Sequence, residues 1–242
     1  NIKFEISQNN LGSIQNFQQN LNVVLIQNDQ WSNIISGIKP QFKNSKVLKY
    51  RYDIETSFEA GNEYLFFDTK DLRTTGQNIS FINLGDLYES YLYTDIPRKN
   101  NPYSFFQDLN GDYQIRTVMG NQNSEIEADY SWIHFTLAAR IELPETDIYV
   151  LGNFNNYEPS AENMMSYNKA LEAYETKVLI KQGFYNYKYF ANTSSGWQPN
   201  LISGNFSQTE NSYKILVYYR APGEIYDQLI GLGKTDSNTL LN

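Results

Sequence analysis

Residues 130–137 read Tyr-Ser-Trp-Ile-His-Phe-Thr-Leu, and this stretch decides the fold class. Aromatic and β-branched side chains dominate it, and such side chains fit the pleated, half-buried surface of a sheet. Successive side chains of a strand point to opposite faces, so Trp132, His134 and Thr136 would share one face. The stretch therefore predicts a β-strand.

The same bias extends over the whole chain in both directions. Hydrophobic residues make up 40% of the sequence and aromatic residues 15%, with 20 Tyr and 14 Phe. Short runs of this type are separated by turn residues, which is the spacing of a sandwich. They predict strands at 1–6, 23–26, 47–50, 63–68, 79–84, 88–93, 147–151, 174–180, 184–190 and 213–219. We expect an all-β protein.

A β-hairpin is predicted around residues 108–112, which read Asp-Leu-Asn-Gly-Asp. Asn-Gly readily takes the positive φ angles of a type I′ turn, and this turn favours hairpins. Residues 103–106 and 113–116 flank the turn and would form its two strands.

Two domains are expected from the length of 242 residues and from one polar, aperiodic stretch at 119–129. Residues 1–127 are predicted to form one β-sandwich domain and residues 128–222 a second. Residues 223–242 would be a C-terminal tail, frayed at its end.

Composition excludes several classes of function. The formal net charge is -8 and the sequence pI is near 4.8, so the chain lacks the basic surface that binds nucleic acid. No cysteine is present, which excludes disulfides and thiolate chemistry. No run approaches the ~18 apolar residues of a membrane helix, so we expect no transmembrane segment.

The sequence contains few residues that could form a catalytic or metal-binding site. His134 is the only histidine, and we interpret it as a sheet-face side chain that is hydrogen-bonded to a neighbour. Asp108, Asn110 and Asp112 alternate like the first ligands of a calcium loop, but the glycine and glutamate that such a loop needs are missing from their places. We therefore expect no enzyme, no catalytic residue, no metal and no cofactor.

Two segments resemble a known group of immunoglobulin-like modules. Residues 148–157 contain Gly-Asn-Phe-Asn-Asn-Tyr, and residues 183–190 read Gly-Phe-Tyr-Asn-Tyr-Lys-Tyr-Phe. In order and spacing they resemble the early-set modules related to glycogen- and starch-binding domains. The resemblance implies an early-set immunoglobulin-like fold for the second domain. It also implies an alternative function, binding of a glucan-like polysaccharide, with Tyr157 and Trp197 as the candidate contacts.

Four longer segments resemble the plug family of the type IX secretion system, and they occur in the order found in that family. They are residues 57–73, 91–111, 128–135 and 204–223. The resemblance implies a non-enzymatic periplasmic protein at the inner face of the outer membrane. Such a protein binds the large β-barrel translocon and closes its pore. We take this as the expected function and the translocon as the expected partner.

Candidate contacts with this partner follow from residue type. Exposed Tyr, Trp and Arg side chains on loops dominate binding energy when they are desolvated. Prolines 97 and 102 would stiffen the loop between them and lower the entropy lost on docking. The predicted contacts are Trp31, Arg73, Tyr93, Arg98 and Tyr103.

Overall fold

The structure is a computed structural model that describes residues 1–7, 14, 16–44, 46–118 and 123–237. The chain divides into two compact units. Unit 1 comprises residues 1–59 and 210–242, and unit 2 comprises residues 60–209. The two described α-helices have four residues each, and no described helix could cross a bilayer.

Unit 1 is built from both ends of the chain. Its elements are β1 (Phe4–Ser7), α1 (Phe17–Asn20), β2 (Leu21–Gln27), β3 (Ile34–Ser36), β4 (Phe42–Lys43), β5 (Val47–Tyr50), β16 (Ser212–Tyr219) and β17 (Gln228–Asp236). One sheet has the order β1-β5-β4 and the other β17-β16-β2-β3. Inward side chains of both sheets, such as Leu25, Leu48 and Ile215, form one buried cluster. Unit 1 is a small β-sandwich.

Unit 2 is the larger sandwich. Its elements are β6 (Leu65–Asp68), β7 (Ile79–Leu84), β8 (Tyr88–Leu92), β9 (Tyr113–Ile115), α2 (Ser124–Glu127), β10 (Tyr130–Ala138), β11 (Thr146–Leu151), a 3-10 turn (Asn153–Asn155), β12 (Ser166–Asn168), β13 (Ala173–Lys181), β14 (Gly183–Thr193) and β15 (Gly196–Gln198). One sheet has the order β12-β13-β10-β8-β7, and the other is β11-β14-β15 with β6 and β9 also paired to β14.

The core of unit 2 lies between these two sheets. Ile133, Phe135 and Leu137 of β10 face it from one side, and Tyr185 and Tyr187 of β14 from the other. The rings of Phe135 and Tyr187 meet edge to face with centroids 5.1 Å apart. Face-to-face packing of two sheets around a shared core defines a β-sandwich.

Strand β14 is unusual because it is buried on both faces over most of its length. Its odd-numbered tyrosines enter the core between the sheets. The other face carries Asn186 and Lys188, both buried, and Phe190, which packs with Tyr64 and Tyr157 in a second cluster. Non-strand segments therefore cover the second face of β14.

The all-β sandwich fold predicted from the sequence is confirmed. All the strands proposed above appear, with ends shifted by a few residues, except the one at 103–106. Five strands were not predicted, among them β17. It contains Gly231 and Gly233, which weaken a strand pattern in the sequence. Pairing with β16 forms the strand nevertheless.

The predicted hairpin is wrong, although its turn is correct. Asn110 and Gly111 have φ angles of 54° and 90°, and Asp112 N donates to Leu109 O at 3.1 Å. A Cβ atom on Gly111 would lie 1.9 Å from the Tyr157 hydroxyl oxygen, so this turn needs glycine. Residues 103–106 form no strand, and β9 instead pairs with β14.

The predicted domain boundaries differ from the two units. The boundary between 127 and 128 falls inside unit 2, because β10 pairs with β8, and β14 with β6 and β9. The predicted tail at 223–242 contains β17, and residues 238–242 lie outside the described part. Polarity alone suggested the boundary at 119–129, and it cannot reveal which strands pair across such a stretch. Residues 119–122 also lie outside the described residues.

His134 lies on β10, and its side chain shares a half-buried face with Trp132 and Thr136, as predicted. Its ring stacks on Tyr91 with centroids 3.9 Å apart. Its Nε2 atom lies 3.7 Å from Glu89 Oε2 and has no hydrogen-bond partner among the described residues, so ring stacking replaces the expected bond. Burial lowers the pKa of His134 from its ordinary value of 6.5, and Glu89 opposes this shift.

Replacing His134 tests this environment. The substitution His134→Phe keeps an aromatic ring stacked on Tyr91 and removes the imidazole group that titrates. Unfolded His134 binds a proton more readily than the folded form, so the parent protein loses stability as the pH falls through the histidine range. We expect its free energy of unfolding to drop more than that of the variant between about pH 8 and about pH 5. Urea denaturation at both pH values measures this, and equal drops would contradict the assignment.

Candidate functional site

The long segment between β8 and β9 contains residues 96–109, which we call the 96–109 loop. It has no strand or helix, but three sets of hydrogen bonds fix it to unit 2. At its start, the backbone N–H groups of Arg98 and Lys99 both donate to Ile202 O, at 2.9 and 3.1 Å. Such direct bonds make this loop a defined surface rather than a loose connection.

Arg98 and Tyr103 point inward from this loop. Arg98 Nη2 donates to the backbone oxygen of Glu63 at 2.7 Å. The Tyr103 hydroxyl donates to Glu63 Oε1 and also bonds Gln208 O at 3.1 Å. Glu63 itself is buried. Both predicted contact residues therefore act as anchors that hold the loop, and their polar groups are engaged inside unit 2.

The end of the loop is fixed as well. Asp108 Oδ2 accepts a hydrogen bond from Tyr64 N, and Asp108 Oδ1 accepts one from Asn110 N at 2.6 Å. Leu109 N donates to Oδ1 of Asn186, a buried residue of β14. The turn at Asn110 and Gly111 then leads the chain into β9. The loop is thus attached at its beginning, middle and end.

Charged side chains in and beneath the loop form what we call the buried charge cluster, with Glu63 and Lys188 buried and Asp95, Arg98 and Asp108 half-buried. Lys188 projects from β14, and its Nζ lies 3.8 Å from the centre of the Tyr64 ring. Asp108 and Glu63 attract this ammonium group, and Arg98 repels it. The cluster holds three acidic and two basic groups, so its charges nearly balance.

Burial shifts the protonation equilibria in this cluster. Loss of water raises the pKa of the Asp108 carboxyl to about 6 and lowers that of the Lys188 ammonium to about 7. Each group partly offsets the shift of the other, because opposite charges favour the ionised forms. Burial also lowers the pKa of Arg98, whereas Asp95 and Glu63 raise it. The nearby opposite charges thus lower the cost of burying each charged group.

Asp95 ties the chain to the core just before the loop begins. Its Oδ2 atom accepts hydrogen bonds from the hydroxyls of Tyr187 and Tyr189, each at 2.7 Å. Its backbone bonds both Thr136 and Ala138 of β10. Burial raises the pKa of Asp95, and the two tyrosine hydrogen bonds oppose this. Asp95 therefore connects the loop start with strands of both sheets.

Four apolar side chains in or beside this loop face solvent. Tyr93 is 63% exposed, Ile96 58%, Phe105 57% and Leu109 45%. Of these, only Tyr93 was a predicted contact. The sequence pattern missed Ile96, Phe105 and Leu109 because an apolar residue in a loop gives no sign of whether it packs inward. We call Tyr93, Ile96, Phe105 and Leu109 the exposed apolar set.

The remaining predicted contacts lie elsewhere. Trp31 is 62% exposed in a turn after β2 of unit 1. Arg73 is exposed in unit 2 and pairs with Asp71, its Nε lying 3.3 Å from Asp71 Oδ1. Neither residue belongs to the 96–109 loop.

The two candidate sugar contacts do not form an open platform. Tyr157 is only 4% exposed, and its hydroxyl bonds the Tyr64 hydroxyl at 3.2 Å. Its prediction as a glycan contact is wrong, because the ring fills the cluster over the second face of β14. Trp197 is 40% exposed and stacks on Phe190 at 5.6 Å.

Comparisons with known proteins include a solved structure of similar architecture. The family models and the curated proteins gave no match. A hypothetical protein from Parabacteroides merdae, with a crystal structure at 2.30 Å resolution, is similar with a TM-score of 0.88 and 32% sequence identity. The match covers 97% of this chain and 59% of that protein. This chain therefore spans less than two thirds of the length of its structural neighbour.

Lys188 offers a direct test of the cluster. Lys188→Met removes one charge and leaves the half-buried carboxylate of Asp108 and the buried carboxylate of Glu63 less compensated. We expect a loss of about 1 to 3 kcal/mol in the free energy of unfolding, the usual cost of leaving a buried polar group without its compensating partner. Urea denaturation followed by tyrosine fluorescence measures it.

Two further variants make this test specific. The double variant Lys188→Met with Asp108→Asn should recover part of the loss, because it also removes a charge left without its partner. Lys169→Met is the control, since Lys169 is exposed and its loss should cost less than about 0.5 kcal/mol. If the Lys188→Met protein were as stable as the Lys169→Met control, the interaction of Lys188 with its neighbouring carboxylates would be refuted.

Proposed function

We propose that this chain is a non-enzymatic plug that binds the outer-membrane β-barrel translocon of the type IX secretion system. It would act in the periplasm, at the inner face of the outer membrane, and close the pore from that side. The family resemblance of the sequence first suggests this function. The observation that carries it in the structure is the 96–109 loop, which is firmly anchored yet presents apolar side chains to solvent.

Anchoring matters because binding is opposed by the entropy of ordering a flexible loop. Hydrogen bonds from Arg98 and Tyr103 to Glu63 hold the 96–109 loop before any partner arrives. The exposed apolar set can then bury its surface against a partner at about 25 cal/mol per Å² without a large ordering cost. A preorganised apolar loop on a β-sandwich supports a protein-docking function.

This arrangement changes the roles that the sequence suggested. Arg98 and Tyr103 would position the loop, whereas Phe105, Ile96 and Tyr93 would meet the translocon. Loops on a rigid scaffold commonly carry binding residues in this way. The net charge of -8 would help to keep a protein with such exposed apolar groups soluble.

Glucan binding by Tyr157 and Trp197 receives less support. Tyr157 is buried, and the stacked face of Trp197 is occupied by Phe190. Sugar stacking needs an accessible ring face, so these two residues do not offer a joint site. We therefore propose docking to a protein partner rather than polysaccharide binding.

Affinity purification from native outer membranes in mild detergent tests the proposed function. The parent chain, carrying a tag, should retain a very large β-barrel protein that mass spectrometry identifies as the translocon. Ile96→Ser and Phe105→Ser should each weaken the affinity for this protein about fivefold or more and reduce the retained amount, because each removes an apolar contact of about 1 to 3 kcal/mol.

Matched controls separate docking from general surface effects. Ile141 and Leu171 of unit 2 are 79% and 60% exposed but lie outside the 96–109 loop. Ile141→Ser and Leu171→Ser should leave retention unchanged. If no barrel protein is retained, or if all four variants behave alike, the proposed function fails.

A further inference from the structure

A cleft of about 910 Å³ opens in unit 2, apart from the residues of the 96–109 loop. We call it the end cleft. Its apolar lining comes from Ile115 of β9 and from Val178 and Ile180 of β13, which belong to different sheets of the sandwich. The cleft is therefore lined by residues of both sheets, and Ile115 and Val178 also pack against the core.

Aromatic rings form a fixed part of its wall. Tyr113 is 38% exposed and stacks on Tyr185 with centroids 5.4 Å apart and nearly parallel planes. Phe154 meets the same Tyr185 ring edge to face at 5.7 Å. Because Tyr185 is buried in the core, these rings are held in place without a ligand. The cleft offers a preformed aromatic surface.

The polar lining is strongly acidic. Among the described residues of the lining, Asp112, Glu125 and Glu162 contribute three carboxylates, and Lys181 is the one basic residue. The Lys181 ammonium already donates to the backbone oxygen of Glu125 and lies 5.6 Å from the centre of the Tyr130 ring. Negative charge therefore exceeds positive charge around the cleft, which disfavours an anionic ligand.

We propose that the end cleft binds an arginine or lysine side chain from an extended segment of a protein partner. The aliphatic stem of such a side chain fits apolar lining such as Ile115 and Val178. Its cationic head suits both the carboxylates and the face of a tyrosine ring. A neutral sugar could use the rings but would gain nothing from the excess charge. This site does not depend on the function proposed for the 96–109 loop.

Peptide titration tests the proposal. The probe is the blocked peptide acetyl-Gly-Leu-Arg-Gly-Leu-Arg-Gly-amide, and its partner has citrulline in place of both arginines. Citrulline keeps the shape and removes the charge. We expect the arginine peptide to bind the whole chain with a Kd of about millimolar or tighter, and the citrulline peptide about tenfold more weakly. Added salt should weaken the binding of the arginine peptide and leave the binding of the citrulline peptide unchanged.

Variants locate the site. Glu162→Gln and Tyr113→Ala should each weaken the affinity for the arginine peptide about two- to fivefold. Glu142→Gln is the matched control, since Glu142 is exposed in unit 2 and does not line the cleft, and it should change nothing. Phe105→Ser should also leave this binding intact. Far-UV circular dichroism would verify that each variant is folded.

Three results would overturn the proposal. They are no binding of the arginine peptide at about millimolar concentration, equal binding of the citrulline peptide, and binding that Glu162→Gln and Tyr113→Ala do not alter. Maltoheptaose serves as a neutral probe. Saturable binding of this sugar that Tyr113→Ala abolishes, without comparable binding of the arginine peptide, would assign the cleft to saccharides instead.

Discussion

Unit 2 depends on keeping a lysine buried. Lys188 lies in the middle of β14, and two carboxylates of the buried charge cluster, those of Asp108 and Glu63, attract its ammonium group. Asp108 and Glu63 approach it from segments that carry no regular structure, and the Tyr64 ring covers its ammonium group at 3.8 Å. An uncompensated buried charge costs several kcal/mol, so these segments must stay in place if β14 is to stay folded. The covering segments thereby supply the negative charge that offsets the buried lysine.

Hydrogen bonds explain why a loop without strands or helices is well defined. Hydrophobic packing alone is tolerant of small shifts, whereas hydrogen bonds require particular geometry. Arg98, Tyr103 and Asp108 supply those bonds at successive points of the 96–109 loop. Their polar groups face inward, so apolar side chains such as Phe105 are left outside. Fold stability and the proposed docking surface thus have the same physical origin.

Sequence patterns identified the all-β class because strands have a local signature, the alternation of apolar and polar residues and a high content of aromatic residues. They could not reveal that β10 pairs with β8 across the proposed boundary, since pairing is decided by distant partners. They also could not show that Lys188 and Tyr157 are buried. The sequence pattern around a lysine or tyrosine in a strand is the same whether that face of the strand is exposed to solvent or covered by another segment. The turn at Asn110 and Gly111 was predictable because its chemistry is local, but the strand that it serves was not.

The central claim is that the 96–109 loop is the surface that meets the translocon. Photo-crosslinking tests it most directly, with benzoylphenylalanine placed at position 105 or, as a reference, at position 141, in chains added to native outer membranes. The account predicts a crosslink from position 105 to the large β-barrel protein, lost when unlabelled parent chain competes, and none from position 141. Equal crosslinking from both positions, or none from position 105 while the barrel is still bound, would contradict it.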